Sequence, residues 1–329
     1  MHADDALVFS AKDGLGNRLR ALVGFRALAD FQQVPMLLHW PRDGACNAEF
    51  TDLFESTGWE DVRLIDAEEA AECKTSRPGR FHYSSVWFTE IWQQHGQALC
   101  TREQFSRVAV KYLRALRPRQ ALQARIDTFA RSNDLAQCVG MHIRMTDNMH
   151  AYDWWIKNDP DFVPEKISRF EGFQAAIGNS SAQGERVFVC TDNAEIAQQL
   201  AAGFSNLVLY RKDFDQRGFN QHVHTHYGTQ DRLSRFVGHI KQALGKRPPE
   251  SWRTTEVADA LVEMLLLARC QCVIGTYYSS FSQVAALIGG VPLFRMEGDT
   301  AIENPYIREL QANAAGLPAS VLDRREASP

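Results

Sequence analysis

Short apolar runs alternate along the chain with segments in which apolar residues recur every three or four positions. Residues 7–10 and 34–38 are short apolar runs, and Leu19, Leu22 and Leu28 between them follow the helical spacing. Such runs predict strands, and the spacing of three or four predicts a helix. Strand, helix and strand in this order predict a βαβ unit, whose two strands are parallel.

A second series of the same kind begins near residue 138, after two helical runs at 102–117 and 118–132. Its predicted strands are 138–143, 186–190, 207–210, 272–275 and 291–294, and its predicted helices are 194–202, 230–244, 255–269 and 280–288. Strands that alternate with helices favour parallel sheets covered on both faces. We therefore predict an α/β chain of two Rossmann-like domains, residues 1–133 and 134–329, each with its own core and with a cleft between them.

Composition and charge narrow the possible partners. The chain has 329 residues, of which 45% are hydrophobic and 23% charged, as is typical of globular proteins. A net charge of -4 gives no general attraction to nucleic acid or to anionic membranes, so an anionic ligand needs a local cluster of donors. No apolar run is long enough to span a bilayer and no signal peptide is evident, which predicts a cytoplasmic location. The seven cysteines form no C-x-x-C pair, so neither zinc nor disulfides are expected.

Polar residues follow several of the predicted strands, where ligands of open parallel sheets bind. His142 and Arg144 end one strand and point to the same side of it. A guanidinium at that place can hold a diphosphate with two parallel hydrogen bonds. The alternative is an arginine–aspartate pair, with Asp147, that merely closes a turn.

Two further strand ends carry similar groups. Thr191 and Asp192 follow the 186–190 strand, where Asp192 or Asn193 alternatively caps the next helix. Ser279 and Ser280 stand at the start of the 280–288 helix. Free N–H groups and the partial positive charge of a helix N-terminus favour phosphate there, and ordinary serine capping is the alternative.

The turn at residues 14–18 resembles half of a dinucleotide-binding fingerprint. Gly14 and Gly16 have the required spacing, but Leu19 occupies the third glycine position. The acidic residue that binds the ribose is also missing after the second strand, which continues to Trp40. The pattern therefore does not predict NAD binding.

Taken in order, these segments resemble the fucosyltransferase superfamily that includes the α1,2- and α1,6-fucosyltransferases, the nodulation fucosyltransferases and the protein O-fucosyltransferases. The turn at 14–18 resembles the glycine-rich first turn of this family. His142-x-Arg144-x-x-Asp147 is similar to its first donor motif, Thr191-Asp192 to the second and residues 275–282 to the third. The resemblance implies a GT-B fold and an inverting, metal-independent transfer from GDP-fucose, with no other cofactor. A glycan, a peptide and a lipid-linked oligosaccharide are all compatible acceptors, and an acceptor glycan in polysaccharide biosynthesis is the preferred prediction.

The resemblance also implies roles for individual residues. Arg144, His142 and Asp13 are the implied catalytic residues, although Asp147 is an equal candidate for the base. The implied donor-binding residues are Asn17, Arg18, Asp147, Thr191, Asp192, Glu263, Thr276, Ser279 and Ser280. Glu263 stands where the family often has an aspartate that binds guanine, and Asp259 one helical turn earlier is a competing candidate. Many members have a second arginine where this chain has Met145.

Two other functions stay open on the sequence. Asp213-Phe214-Asp215 has the D-x-D pattern with which metal-dependent glycosyltransferases hold a cation against another nucleotide-sugar, but it lies in a basic loop that favours salt bridges. His222, His224 and His226 are a weaker metal pattern, because no matching carboxylate or cysteine pattern accompanies them. The missing second arginine also allows a nucleotide-sugar-binding protein without catalytic activity.

Overall fold

A computed structural model describes residues 5–43, 45–55, 61–144, 163–213 and 256–315. The first half of the chain forms a parallel sheet in the order β3-β2-β1-β4. Its strands are β1 (Leu7–Ala11), β2 (Met36–His39), β3 (Val62–Ile65) and β4 (Phe81–Ser84). All five residues of β1 are buried, because this central strand is covered on both faces.

The second half forms a larger sheet in the order β10-β9-β8-β5-β6-β7, parallel except for β10. Its strands are β5 (Cys138–Ile143), β6 (Arg186–Thr191), β7 (Leu207–Leu209), β8 (Cys272–Thr276), β9 (Leu293–Glu297) and β10 (Thr300–Glu303). The central strands β5 and β8 are neighbours, and His142 lies opposite Gly275 in their register. The carboxyl ends of β5, β6 and β8 therefore meet at one edge.

Helices cover these sheets and connect their strands. In chain order they are α1 (Leu15–Gln32), α2 (Phe50–Leu53), α3 (Ala67–Ser76), α4 (Phe88–Ile91), α5 (Arg102–Ala115), α6 (Gln120–Ser132), α7 (Phe170–Ala182), α8 (Ala194–Gly203), α9 (Val257–Leu267), α10 (Ser280–Gly289) and α11 (Pro305–Asn313). A π-helical turn, Trp92–Gly96, extends α4. No helix within the described ranges is long and apolar enough to cross a bilayer.

One buried cluster joins the two sheets, and two smaller clusters lie each within one half of the chain, so the division into residues 1–133 and 134–329 stays a prediction. The joining cluster is a continuous core, whose buried residues include Phe9 and Leu22 from the first half and Val262 and Leu287 from the second. The reason is that α1, α5, α9 and α10 pack on one another between the sheets. Helix α1 is accordingly buried along most of its length, and its buried residues include Arg18 and Arg26.

The predicted strand–helix order is present, with shifts of a few residues at element ends. The strand predicted at 34–38 is Met36–His39, and the strand predicted at 291–294 is Leu293–Glu297. Several observed elements were not predicted from the sequence. They are the short strands β3, β4 and β10 and the helices α2, α3, α4, α7 and α11. The helix predicted at 230–244 lies outside the described residues.

Candidate functional site

Thr276 joins the ends of β5 and β8 and fixes the position of Arg144. Its hydroxyl donates to the carbonyl of His142 (3.2 Å) and accepts a hydrogen bond from the backbone N–H of Arg144 (2.9 Å). Because Thr276 is 2% exposed and its hydroxyl both donates and accepts within the protein, it supports the site. The predicted contact of Thr276 with the donor stays a prediction, and the half-buried Arg144 lies at the sheet edge.

His142 is a buried, neutral side chain at this edge. Its ring stacks on Phe281, with 4.6 Å between the ring centroids. Burial lowers the pKa of His142 to about 3, and the positive charges of Arg144 and Lys212 act in the same direction. A histidine with this pKa is a weak base near neutral pH. Its Nδ1 is buried and has no hydrogen-bond partner among the described residues, so the ring is suited to hydrogen bonding.

Ser279 and Ser280 lie at the N-terminus of α10, close to the end of β8. Ser279 is the N-cap residue by position, yet its side chain makes no capping hydrogen bond. Its Oγ is buried and finds no partner in the described part of the chain. A buried hydroxyl without a partner costs free energy, so this atom is available to a bound group or to a part of the chain outside the described residues. Simple capping by Ser279 is thereby contradicted.

The glycine-rich turn reaches this helix end from the other half of the chain. A Cβ on Gly16 would lie 2.9 Å from Oγ of Ser280 and 3.0 Å from the backbone N of Phe281. Only glycine permits such a close approach. Gly16 therefore allows the start of α1 to lie against the start of α10. Asp13, with φ of 65°, and Asn17 flank the contact and are half-buried.

Arg18 has a structural role in the turn, which corrects its predicted contact with the donor. Its side chain is 0% exposed and forms an ion pair with Asp43 at 2.7 Å. It also donates to the carbonyls of Asp13 (2.7 Å) and Pro41 (2.6 Å) and lies over the ring of Trp40. These bonds use the guanidinium internally, and they hold the left-handed backbone of Asp13 in place.

The end of β6 contributes Thr191 and Asp192. Asn193 caps α8, because its Oδ1 accepts from the backbone N–H groups of Glu195 and Ile196. The hydroxyl of Thr191 is buried and accepts from the N–H of Asn193 (3.2 Å). Asp192 is half-buried at the same edge, so capping is assigned to Asn193 and the predicted role of Asp192 stays open.

Two carboxylates one turn apart on α9 form separate ion pairs. Glu263 is 4% exposed, and its Oε2 lies 2.5 Å from Nζ of Lys212. Burial raises the pKa of Glu263 to about 7, although the ammonium of Lys212 acts in the opposite direction. Asp259 instead pairs with Arg125. No sequence pattern indicated Lys212, because its partner is 51 residues away along the chain.

The remaining predicted residues lie largely outside the described ranges. These are Asp147 of the first donor motif, Asp215 of the D-x-D pattern and the three alternate histidines at 222, 224 and 226. Asp213 is described and exposed. Within the described ranges, no three histidine, cysteine, aspartate or glutamate side chains are grouped so that they could hold a metal ion.

Comparisons with known proteins show what the chain is similar to. The family model Nodulation protein Z (NodZ) matches residues 99–245. Nodulation protein Z of Bradyrhizobium diazoefficiens is 27% identical over 165 residues, and the match covers 49% of this chain and 37% of that relative. The chain thus matches well under half the length of this curated relative.

Solved structures are similar over almost the whole chain. The crystal structure of NodZ α-1,6-fucosyltransferase soaked with GDP-fucose aligns with a TM-score of 0.51 and 18% identity, and covers 91% of this chain and 99% of that one. The crystal structure of fucosyltransferase NodZ from Bradyrhizobium aligns with a TM-score of 0.50, also at 18% identity, over 91% of this chain and 98% of that one. The predicted GT-B fold and the predicted resemblance to the fucosyltransferase superfamily are confirmed.

Proposed function

We propose that this chain, which has the fold of its fucosyltransferase relatives, moves fucose from GDP-fucose to a hydroxyl of an acceptor glycan. The observation that carries the proposal is the buried Oγ of Ser279, which lacks a partner in the described residues at the N-terminus of α10. Arg144 stands at the adjacent strand end, held by Thr276. A hydroxyl, a guanidinium and free N–H groups together suit the diphosphate of a nucleotide-sugar.

The chemistry assigned to this edge is a single displacement that needs no bound metal. The acceptor oxygen attacks the anomeric carbon from one face while the bond to the diphosphate breaks on the other, which inverts the configuration. Negative charge then grows on the departing GDP, and one well-placed donor can contribute roughly 3–4 kcal/mol to stabilising it. Arg144, Ser279 and Ser280 are the proposed donors, and the similar NodZ structure obtained with GDP-fucose supports the choice of donor substrate.

The proposed base is Asp13. Its carboxylate belongs to the turn that Gly16 brings against α10, and it stays half-buried there. His142 is the weaker candidate because burial lowers its pKa to about 3. Asp147, outside the described residues, stays an alternative. Asp13 would take the proton of the acceptor hydroxyl as the new bond forms.

The acceptor side is proposed at the carboxyl edge of the first sheet, within residues 1–133, and the donor side within residues 134–329. Tyr83 at this edge is 61% exposed, and Nζ of Lys12 lies 5.3 Å from the centre of its ring. An exposed aromatic ring suits the apolar face of a sugar. A cytoplasmic location and a role in polysaccharide biosynthesis complete the proposal.

The first test compares thermal unfolding with GDP, UDP and ADP, each with and without EDTA. At a hundredfold excess over Kd, GDP should stabilise the protein by about 2.7 kcal/mol, with no effect of EDTA. Arg144→Ala should weaken GDP binding by roughly ten- to a hundredfold, because a charge-assisted hydrogen bond is lost. Asp13→Asn should keep the GDP shift and lose fucose transfer.

Other results would select the other functions. Stabilisation by UDP that EDTA abolishes would favour metal-dependent transfer through Asp213 and Asp215, and would overturn the GDP-fucose proposal. Stabilisation by GDP without turnover of GDP-fucose would indicate a binding protein without catalytic activity. Transfer that persists in Asp13→Asn would move the base to Asp147.

A further inference from the structure

The strongest unexplained feature is the buried ammonium of Lys212. Its side chain is 2% exposed, and Nζ donates to Oε2 of Glu263 (2.5 Å) and to the carbonyl of Thr191 (2.6 Å). Lys212 thereby ties α9 to the carboxyl end of β6. Burying a lysine costs free energy unless its ammonium is paired. The buried pair with Glu263 therefore points to a functional role.

We infer that Lys212 is a positioning residue for guanine recognition, holding Glu263 as an oriented carboxylate that accepts from N1–H and N2–H of the base. The inference rests on the proposed use of GDP-fucose. An ionised carboxylate has about four lone-pair sites and donates nothing, so one bond to Lys212 leaves acceptors for both base groups. A protonated glutamic acid would instead present an O–H to one of these donors. Lys212 thus favours the ionised form of Glu263, which can accept hydrogen bonds from both base groups.

Burial makes the lysine necessary for this role. Without a cation beside it, a carboxyl as buried as Glu263 takes up a proton, because desolvation penalises its charged form. Burial raises the pKa of Glu263 to about 7 even with Lys212 beside it, and the ammonium of Lys212 acts to lower this pKa. Removing Lys212 therefore leaves a neutral acid at neutral pH, even though the side chain of Glu263 is unchanged.

Helix α9 carries a matched control. Asp259, one turn before Glu263, pairs with Arg125, which also bonds the hydroxyl of Tyr210. The two pairs share one helix and combine a carboxylate with a basic side chain from another element. If Glu263 is the guanine ligand, breaking the Arg125 pair leaves base selection intact. If Asp259 is the ligand, breaking the Arg125 pair removes base selection and breaking the Lys212 pair leaves it intact.

The experiment measures Kd for GDP and for IDP, whose base lacks the N2 amine, in wild type and in Lys212→Met. Wild type should prefer GDP by about tenfold or more, and Lys212→Met should lose most of this preference at pH 7. At about pH 8.5 part of the preference should return as Glu263 ionises. With GDP-fucose, the variant should raise KM with little change in kcat, because the base contact is equal in the ground and transition states.

The control variants separate this role from a structural one. Arg125→Met should keep the preference for GDP over IDP. Lys212→Gln retains a hydrogen-bond donor without the charge, and it provides the same test if methionine prevents folding. Circular dichroism and the melting temperature establish that each variant is folded.

Each outcome is decisive. An unchanged GDP preference in folded Lys212→Met or Lys212→Gln overturns the inference, and so does a loss that is independent of pH. Loss of the preference in Arg125→Met alone would show that Asp259, and not Glu263, binds guanine. Failure of the wild type to bind GDP at all would instead refute the proposed function.

Discussion

At the scale of single residues, the protonation of His142 makes the stability of the folded protein depend on pH. The folded protein lowers the pKa of His142 from 6.5 to about 3 because the ring is buried. The unfolded chain therefore binds more protons between these two values. The contribution of neutral His142 to the unfolding free energy is complete above pH 6.5 and is lost as the pH falls towards 3.

His142→Phe should make the protein less sensitive to acid. The phenyl ring can still stack on Phe281, but it does not titrate. Between pH 7 and pH 5 the wild type should lose about 2 kcal/mol of unfolding free energy that the variant retains. Urea unfolding at the two pH values measures the difference, and Phe281→Leu serves as a control that keeps the titrating ring. Equal pH slopes for wild type and His142→Phe would contradict the assignment.

At the scale of elements, the contact between α1 and α10 depends on Gly16. Gly16→Ala would place a methyl group 2.9 Å from Oγ of Ser280, so the two helix ends must separate. We expect a loss of roughly 1–3 kcal/mol in unfolding free energy and weaker GDP binding. Gly178→Ala in α7 is the control, because its nearest neighbour would be 3.9 Å away. That change should be neutral or stabilising by up to about 1 kcal/mol. Unfolding free energies and GDP affinities of both variants test the contact.

The order of strands and helices along the chain and the edge residues followed from the sequence, because both depend on local patterns. Apolar runs predicted β5, β6 and β8, and the residues just after them were expected at the same edge of the sheet. The internal role of Arg18 was not predictable, since it depends on Pro41 and Asp43 more than twenty residues away. The pairing of Lys212 with Glu263 was not predictable either, because the two residues are 51 positions apart. The prediction of the first sheet was incomplete, because β3 and β4 are short and carry exposed polar residues.

At the scale of the whole molecule, the continuous core predicts that both sheets unfold together. Apolar residues from the two halves pack in one cluster, and further bonds connect the halves, such as Thr89 with Tyr306 (2.6 Å). Amides in β1 and β8 should therefore exchange with the same free energy, through global unfolding. Hydrogen exchange read by mass spectrometry tests this expectation. Earlier exchange of one complete sheet would show that the halves are energetically independent.

The contact at Gly16 also has an electrostatic consequence. Helix α1 begins at Leu15 and α10 at Ser280, so two helix N-termini from different sheets meet at one place. Each carries the equivalent of about half a positive elementary charge, from aligned peptide dipoles. Their fields add where the departing diphosphate is proposed to gain negative charge, and neither end depends on pH. In the proposed complex, the backbone would therefore provide part of the positive charge that a second arginine provides in other members of the superfamily.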